Sequence, residues 1–240
     1  MNSTQEHISS AYDRDLEGIQ ARIMKMGGLV EQAILDAAKA LDTRDQELAD
    51  IVRAGDKAID DLEELLNEEA ARVIALRAPT AIDLRVILSV MRMSANLERI
   101  GDLAKNLAKR NAVLMTMPSM NGSTSQLRRM SRDVQVMLKD ALDSYIQRDE
   151  ALARDVIERD IDIDQMYNTL FREFLTFMLE DPRNITPCMH LHFIAKNVER
   201  MGDHVTSIAE QVVFLVTGEK PDEPRQKDDV TSTNVELSKG

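Results

Sequence analysis

An all-α protein built from two tandem three-helix bundles, six long helices in all, is what this sequence predicts, and three observations predict it. Trp is absent, aromatics make up 3% and there are only 9 glycines in 240 residues; Ala, Leu, Met, Glu and Arg, which helix propensity favours, are plentiful instead. Apolar residues recur in alternating steps of three and four along most of the chain, the spacing that gathers them on one face of a helix. The third observation is a repeat. Asn96-Leu97-Glu98-Arg99-Ile100-Gly101-Asp102 and Asn197-Val198-Glu199-Arg200-Met201-Gly202-Asp203 keep Asn, Glu, Arg, Gly and Asp at a constant spacing of 101 residues. One Glu-x-x-x-Asp means little among 42 acidic residues, whereas a duplicated heptapeptide implies a duplicated structural unit.

In chain order, a first helix is expected from about Ser9 to Leu41, on the stripe Leu16, Ile19, Ile23, Met26, Val30, Ile34, Ala37 and Leu41. The second runs from about Asp45 to Leu76 and stops before Pro79, which cannot continue a helix without losing a hydrogen bond. The third, Ala81 to Leu114, carries the first heptapeptide in its middle, and residues 1–114 thus form the first bundle. Met115 to Gln126, with Pro118, Asn121, Gly122 and several hydroxyl residues, reads as a linker. The pattern then restarts over 127–217, with helices at about Leu127 to Ile146, Asp149 to Leu179 and Ile185 to Val216, and with Pro182 and Pro187 marking the last turn. The second helix has its copy too: Asp45, Leu48, Ala49, Asp56, Ile59 and Asp60 recur as Asp149, Leu152, Ala153, Asp160, Ile163 and Asp164, 104 residues on. The spacing shrinks from 104 to 101 across the turn, where a loop tolerates a deletion. From Gly218 to Gly240 periodicity disappears and charge rises, as in a disordered tail.

The totals exclude some functions. A formal net charge of −12 and a pI near 4.9 oppose nucleic-acid binding, which needs excess Lys and Arg, and suit cations or basic protein surfaces. There is no cationic leader followed by an apolar run, and no apolar stretch near 18 residues. The lone Cys188 cannot form an internal disulfide, and a cytoplasmic location is the expectation. No Gly-rich phosphate loop, Ser/His/Asp arrangement or Cys/His nucleophile occurs.

The repeated acids carry the chemistry. Short-looped neighbouring helices pack antiparallel, so residues equidistant from a turn lie level. Asp60 and Glu98 stand equally far either side of Pro79, as do Asp56 and Asp102. In the second half Asp164 and Glu199, and Asp160 and Asp203, are likewise symmetric about the bond between Asp181 and Pro182. Asp60, Glu98 and Glu199 directly follow the stripe residues Ile59, Leu97 and Val198, so the acids should flank the core rather than fill it; the sequence leaves open whether they converge across the groove. Four level carboxylates repel one another unless something positive sits among them, either Arg99 and Arg200 of the same motif or a cation. An all-oxygen, His-free set suits Mg²⁺, Mn²⁺, Ca²⁺ or iron and argues against a closed zinc site, zinc being the least expected. The plainer reading is a solvated flank of salt bridges. The glycine between Glu and Asp costs roughly 1 kcal/mol against Ala in a helix, so a neighbouring helix or a bound group should come close there. His190, His192 and His204 are expected at the surface or in a groove, because His190 and His192 lack helical ligand spacing. Met24, Met26, Met91, Met93, Met130 and Met137 should fill the core.

These motifs, with Tyr12-Asp13, Leu16, Met26-Gly27-Gly28-Leu29-Val30-Glu31, Ala75-Leu76-Arg77-Ala78-Pro79 and Asp83-Leu84-Arg85, resemble the PhoU family of phosphate-signalling proteins over roughly residues 7–218. The resemblance implies a tandem pair of three-helix bundles, often a homodimer, in the cytoplasm. It implies a negative regulator of the phosphate-starvation response that links the ATPase of the phosphate ABC transporter to the sensor histidine kinase and modulates phosphate uptake. It also implies multinuclear iron or other metals on Asp56, Asp60, Glu98 and Asp102 in one half and Asp160, Asp164, Glu199 and Asp203 in the other, without an organic cofactor. One departure stands out: Asn106, four past Asp102, has Ser207 as its counterpart, which puts equal occupancy of the two halves in doubt. The leading reading is therefore a non-enzymatic adaptor. Its rival is a carboxylate-bridged metalloenzyme, which would ordinarily show Glu-x-x-His pairs and an enclosed cavity. A coiled-coil spacer is disfavoured by the proline-marked turns.

Overall fold

The computed structural model describes residues 3–117 and 122–219, apart from the side chains of 3–11 and 13. It contains α1 (Ser3–Thr43), α2 (Gln46–Arg77), α3 (Ala81–Leu114), α4 (Ser123–Gln147), α5 (Glu150–Glu180) and α6 (Ile185–Thr217), with one 3-10 turn at Pro182–Asn184. Helices α1, α2 and α3 pack on one another, as do α4, α5 and α6, giving the two expected three-helix bundles. The tail expected from Gly218 lies, beyond Glu219, outside the described residues.

The repeat is visible in how the helices start and stop. Asp45 and Asp149 cap α2 and α5 identically, each carboxylate accepting from the backbone N–H three residues on, Leu48 or Leu152, at 3.0 Å. One residue earlier, Arg44 and Arg148 take the left-handed conformation, φ 54° and 56°, that ends α1 and α4. Arg44 also places Nη2 2.7 to 2.9 Å from the carbonyls of Leu114, Met115 and Met117, so a cation satisfies the open C-terminal end of α3. Two helix starts differ from expectation. Helix α1 begins at Ser3 rather than near Ser9, and α4 begins at Ser123, because Gly122 at φ 100° turns the chain ahead of the apolar pattern. Pro187 lies inside the first turn of α6, where its missing N–H would have had no helical partner.

The bundles do not stand apart. Helix α1 packs on α4 and α3 on α6, and the buried side chains of all six helices form one apolar cluster. Both seams run antiparallel. Along α3 and α6, Arg85 stacks on Phe214 at one end, His204 meets Asn96 at 2.9 Å in the middle, and Arg110 lies over Phe193 and 3.3 Å from His190 at the other. Along α1 and α4, Asp42 takes Arg128 at 2.9 Å and Gln135 donates to Glu31 at 2.7 Å. The four inner helices are thus α1, α3, α4 and α6, with α2 and α5 outermost. Each motif consequently lies on an inner helix, facing an outer one. Among the expected core methionines, Met26, Met93, Met130 and Met137 are buried, and Met24 and Met91 pack against the core.

Candidate functional site

The glycine of each motif is where an outer helix comes close. A Cβ on Gly101 would stand 3.0 Å from Ile59 Cδ1 and 3.8 Å from Asp56 Oδ1; one on Gly202 would stand 3.1 Å from Asp160 Oδ1 and 3.4 Å from Ile163 Cγ2. Of the two expected causes the neighbouring helix is therefore the one seen, and it brings an aspartate with it. The contact seats the first acid of α2 or α5 against the motif helix, as the height matching required.

In the α2–α3 groove Asp56 is 4% exposed, whereas Asp60 is exposed and Glu98 and Asp102 are partly so. Lys105 crosses the groove. Its Nζ donates to Asp56 Oδ2 and lies 3.3 Å from Asp102 Oδ1, and the Asp56 hydrogen bond raises the pKa of the lysine. The acids feel one another. Partial burial raises the Glu98 pKa against the pull of Arg99, with Asp102, Asp60 and Glu63 adding to the rise; burial and Asp56 do the same for Asp60, against Lys105. Arg99 sits 3.4 Å from Glu98 and 3.9 Å from Asp102 with 64% of its side chain exposed, an arrangement that contributes little.

The α5–α6 groove is deeper. Asp160, Asp164 and Glu199 are 2%, 1% and 3% exposed, and Asp203 is intermediate. Glu199 Oε1 takes Lys196 Nζ at 2.9 Å. Burial raises the Glu199 pKa, Lys196 opposes it, and Asp203 and Asp164 reinforce it. Lys196 also lies over the Tyr167 ring, 4.9 Å from its centroid, and Tyr167, Phe171 and Phe193 surround His192.

Two expectations need correction. Asp56, Asp160, Asp164 and Glu199 are buried and so belong to the interior, and the glycine contact draws the helices together over Asp56 and Asp160. The counter-charges come from Lys105 and Lys196 rather than chiefly from Arg99 and Arg200. The signal for both lysines was their spacing, three residues after Asp102 and three before Glu199, which puts each on the same helical side as its acid. Besides Asn106, exposed beside Lys109, and Ser207, whose Oγ turns to the Asp203 carbonyl, the halves differ one residue earlier, where Lys105 has Thr206 as its counterpart.

As to chemistry, each groove gathers acids around a partly satisfied centre. Asp56 Oδ1 and Glu199 Oε2 are buried oxygens that accept no hydrogen bond among the described residues, a cost of roughly 1–3 kcal/mol or more for charged groups. All-oxygen donors are the type that hard cations such as Mg²⁺, Mn²⁺, Ca²⁺ or iron take. The carboxylates share a groove without closing into a cage: among the described residues no group of three or more His, Cys, Asp or Glu is arranged to hold a metal ion.

Comparison with known proteins matches the chain to the PhoU domain twice, over residues 23–110 and 127–212. It is 46% identical over 227 residues to the phosphate-specific transport system accessory protein PhoU homolog of Rhizobium meliloti (strain 1021), covering 95% of this chain and 96% of that protein. The homolog of the same name from Xylella fastidiosa (strain Temecula1 / ATCC 700964) is 45% identical over 238 residues, covering 99% and 98%. Among solved structures, PhoU from Pseudomonas aeruginosa superposes with a TM-score of 0.84 at 38% identity, covering 87% of this chain and all of that one. The phosphate transport system regulatory protein PhoU from Streptococcus pneumoniae gives 0.80 at 28% identity, covering 88% and 100%.

Proposed function

This chain belongs to the PhoU family, and we propose on that footing that it regulates phosphate transport as a non-enzymatic adaptor rather than as a catalyst. In this reading it is a cytoplasmic homodimer that represses the phosphate-starvation response. It does so by contacting the ATPase of the phosphate ABC transporter and the sensor histidine kinase, and it modulates phosphate uptake. The observation that carries the reading is the double match of the family model to both halves, in relatives named as accessory proteins over nearly their whole length. No helix among the described residues is long and apolar enough to cross a membrane, so contact with a transporter would run through its soluble parts.

The acidic grooves are part of this proposal. Asp56, Asp60, Glu98 and Asp102, and Asp160, Asp164, Glu199 and Asp203, would each hold a divalent or iron cation. Such an ion would neutralise the groove and join an outer helix to an inner one. Deleting the gene tests the regulatory role. Loss of the protein is expected to switch on a phosphate-starvation reporter in phosphate-replete medium, with the wild-type chain restoring repression; a reporter that stays silent overturns the proposal. Pull-downs of the transporter ATPase and the sensor kinase by the full chain test the adaptor role, and no enrichment of either counts against it.

A further inference from the structure

The arginines inside the two motifs, Arg99 and Arg200, are exposed, and the ion pairs of Arg99 with Glu98 and Asp102 contribute little. Each arginine belongs to a longer stripe. On α3, Arg85, Arg92, Arg99 and Arg110 are spaced by seven, seven and eleven residues, close to whole numbers of helical turns, so the four lie along one side. On α6, Phe193, Arg200, His204 and Gln211 line up in the same way, at intervals of seven, four and seven. The two sides adjoin along the seam that joins the bundles: Arg85 stacks on Phe214, Arg92 donates to Gln211 at 3.3 Å, Asn96 meets His204, and Arg110 lies over Phe193. The same antiparallel register puts Arg99 level with Arg200, opposite each other at the middle of the seam.

Neither stripe contains an acid. Leu88, Asn96, Leu103 and Asn106 stand between the arginines of α3, and Asn197 and Ser207 between the polar residues of α6. A chain of net charge −12 thus carries five arginines and no carboxylate along one strip, while Glu98 and Asp102 on α3, and Asp203 and Glu210 on α6, lie about a quarter turn or more to its outer sides. Near its two ends the strip is apolar, with Leu88 exposed at one and Met189 and Phe193 at the other. We propose that this seam is a docking face for an acidic amphipathic helix of a partner protein, with Arg92, Arg99 and Arg200 taking its carboxylates and Leu88, Met189 and Phe193 seating its apolar side. The proposal gives the adaptor reading above, on which it rests, one face and one chemistry. Length and width select the occupant. From Arg85 to Arg110 the strip extends about 37 Å at 1.5 Å per residue, the length of about 25 helical residues, and a helix about 10 Å across covers it without lying over the flanking acids. A flat anionic membrane or a nucleic-acid duplex would meet those acids too, and the charge of the whole chain would oppose it. Helices in grooves are held by apolar anchors at three- and four-residue spacing, and guanidiniums bind carboxylates through paired, charge-assisted hydrogen bonds.

The test titrates the full chain into a fluorescein-labelled synthetic peptide of about 24 residues with leucines along one helical side and glutamates flanking them, beside a scrambled peptide of the same composition and vesicles containing phosphatidylglycerol. The wild type should bind the amphipathic peptide with a Kd of about 10 µM, at least about fivefold more weakly when salt is raised from about 0.05 to about 0.3 M, and should prefer it to the scrambled one. R92Q/R99Q/R200Q should weaken binding at least roughly tenfold. R53Q/R72Q/R132Q, which removes three exposed arginines of α2 and α4, should bind like wild type, and both triple variants should melt close to wild type. M189S should weaken binding about threefold with the salt dependence unchanged, because it removes only an apolar seat. In cells the seam variant should fail to repress the phosphate-starvation reporter. A wild type that ignores the amphipathic peptide, or triple variants that bind it equally, overturns the face; equal binding of the scrambled peptide, or vesicles held by the same three arginines in preference to the peptide, overturns the helix as its occupant. Repression by a seam variant that no longer binds the peptide removes this face from the adaptor's contacts, whereas a reporter that stays silent in the deletion strain removes the regulatory reading and leaves the binding result standing.

Discussion

In the α2–α3 groove one acid of four is buried and a lysine lies across it; in the α5–α6 groove three are buried and the lysine enters from the other end. The motifs are the same, so the difference comes from what stands beside them. One turn past Asp60 the first half has Glu63, whereas one turn past Asp164 the second has Tyr167, with Phe171 in place of Asn67. Tyr167 is buried under Lys196, and Phe171 packs on His192. Aromatic bulk next to the acids removes water from them and pushes the Glu199 pKa up. A repeated motif therefore fixes where carboxylates meet but not their solvation, which is set a turn away.

If aromatic filling distinguishes the halves, the largest effect should come from removing it. Phe174, fully buried, stands where the first half has Ala70. Phe174→Ala should cost about 4 kcal/mol by urea denaturation; a loss under about 1 kcal/mol would mean that the second core does not depend on that ring. The next effect tests the glycines against each other. Both glycines have an isoleucine Cγ2 at 3.4 Å, but Gly202→Val drives a branched side chain onto the buried Asp160 carboxylate at 3.1 Å, while Gly101→Val first meets the movable Cδ1 tip of Ile59, with Asp56 Oδ1 at 3.8 Å. Overpacking should therefore cost about 3 kcal/mol at 202 and about 1.5 kcal/mol at 101, and the opposite order would break the comparison.

The fold was legible because each level of the sequence pointed the same way. Apolar spacing, the Asp45 and Asp149 caps, Pro79 and Pro182, and the constant repeat spacing all specified helices and their pairing, and Asp60 and Glu98 do share a groove. What stayed hidden was rotation about the helix axes. Asp60 and Asp164 occupy the same register, yet one is exposed and the other buried, and only the neighbouring helix decides that. Lys105 and the arginine inside the motif are ranked equally by spacing alone, and the groove selects the side chain that points across it. The joining of the bundles along α1–α4 and α3–α6 left little trace, since those contacts use the same apolar stripes that build each bundle.

Two smaller effects set the limits of the asymmetry. Asp45→Ala and Asp149→Ala remove identical caps and should each cost about 1 kcal/mol, in contrast to the unequal glycines; a twofold difference would show that the halves diverge even at their helix starts. The smallest effect is confined to alkaline solution. Tyr145 is buried at the register where the first half has Leu41, and burial raises its pKa above 10, only partly offset by Arg148. Between pH 10 and that raised value the unfolded chain has released the phenolic proton while the folded chain keeps it. Stability attributable to this residue is therefore unaffected below pH 10 and falls as pH rises past it, by no more than about 1.4 kcal/mol per pH unit. Tyr145→Phe should remove that slope, so that wild type and variant, compared by urea midpoints from pH 8 to 11, diverge only at the alkaline end. Parallel curves across the whole range would mean that the phenol reaches solvent as easily in the folded chain as in the unfolded one, and that the second half is less enclosed than its side chains indicate.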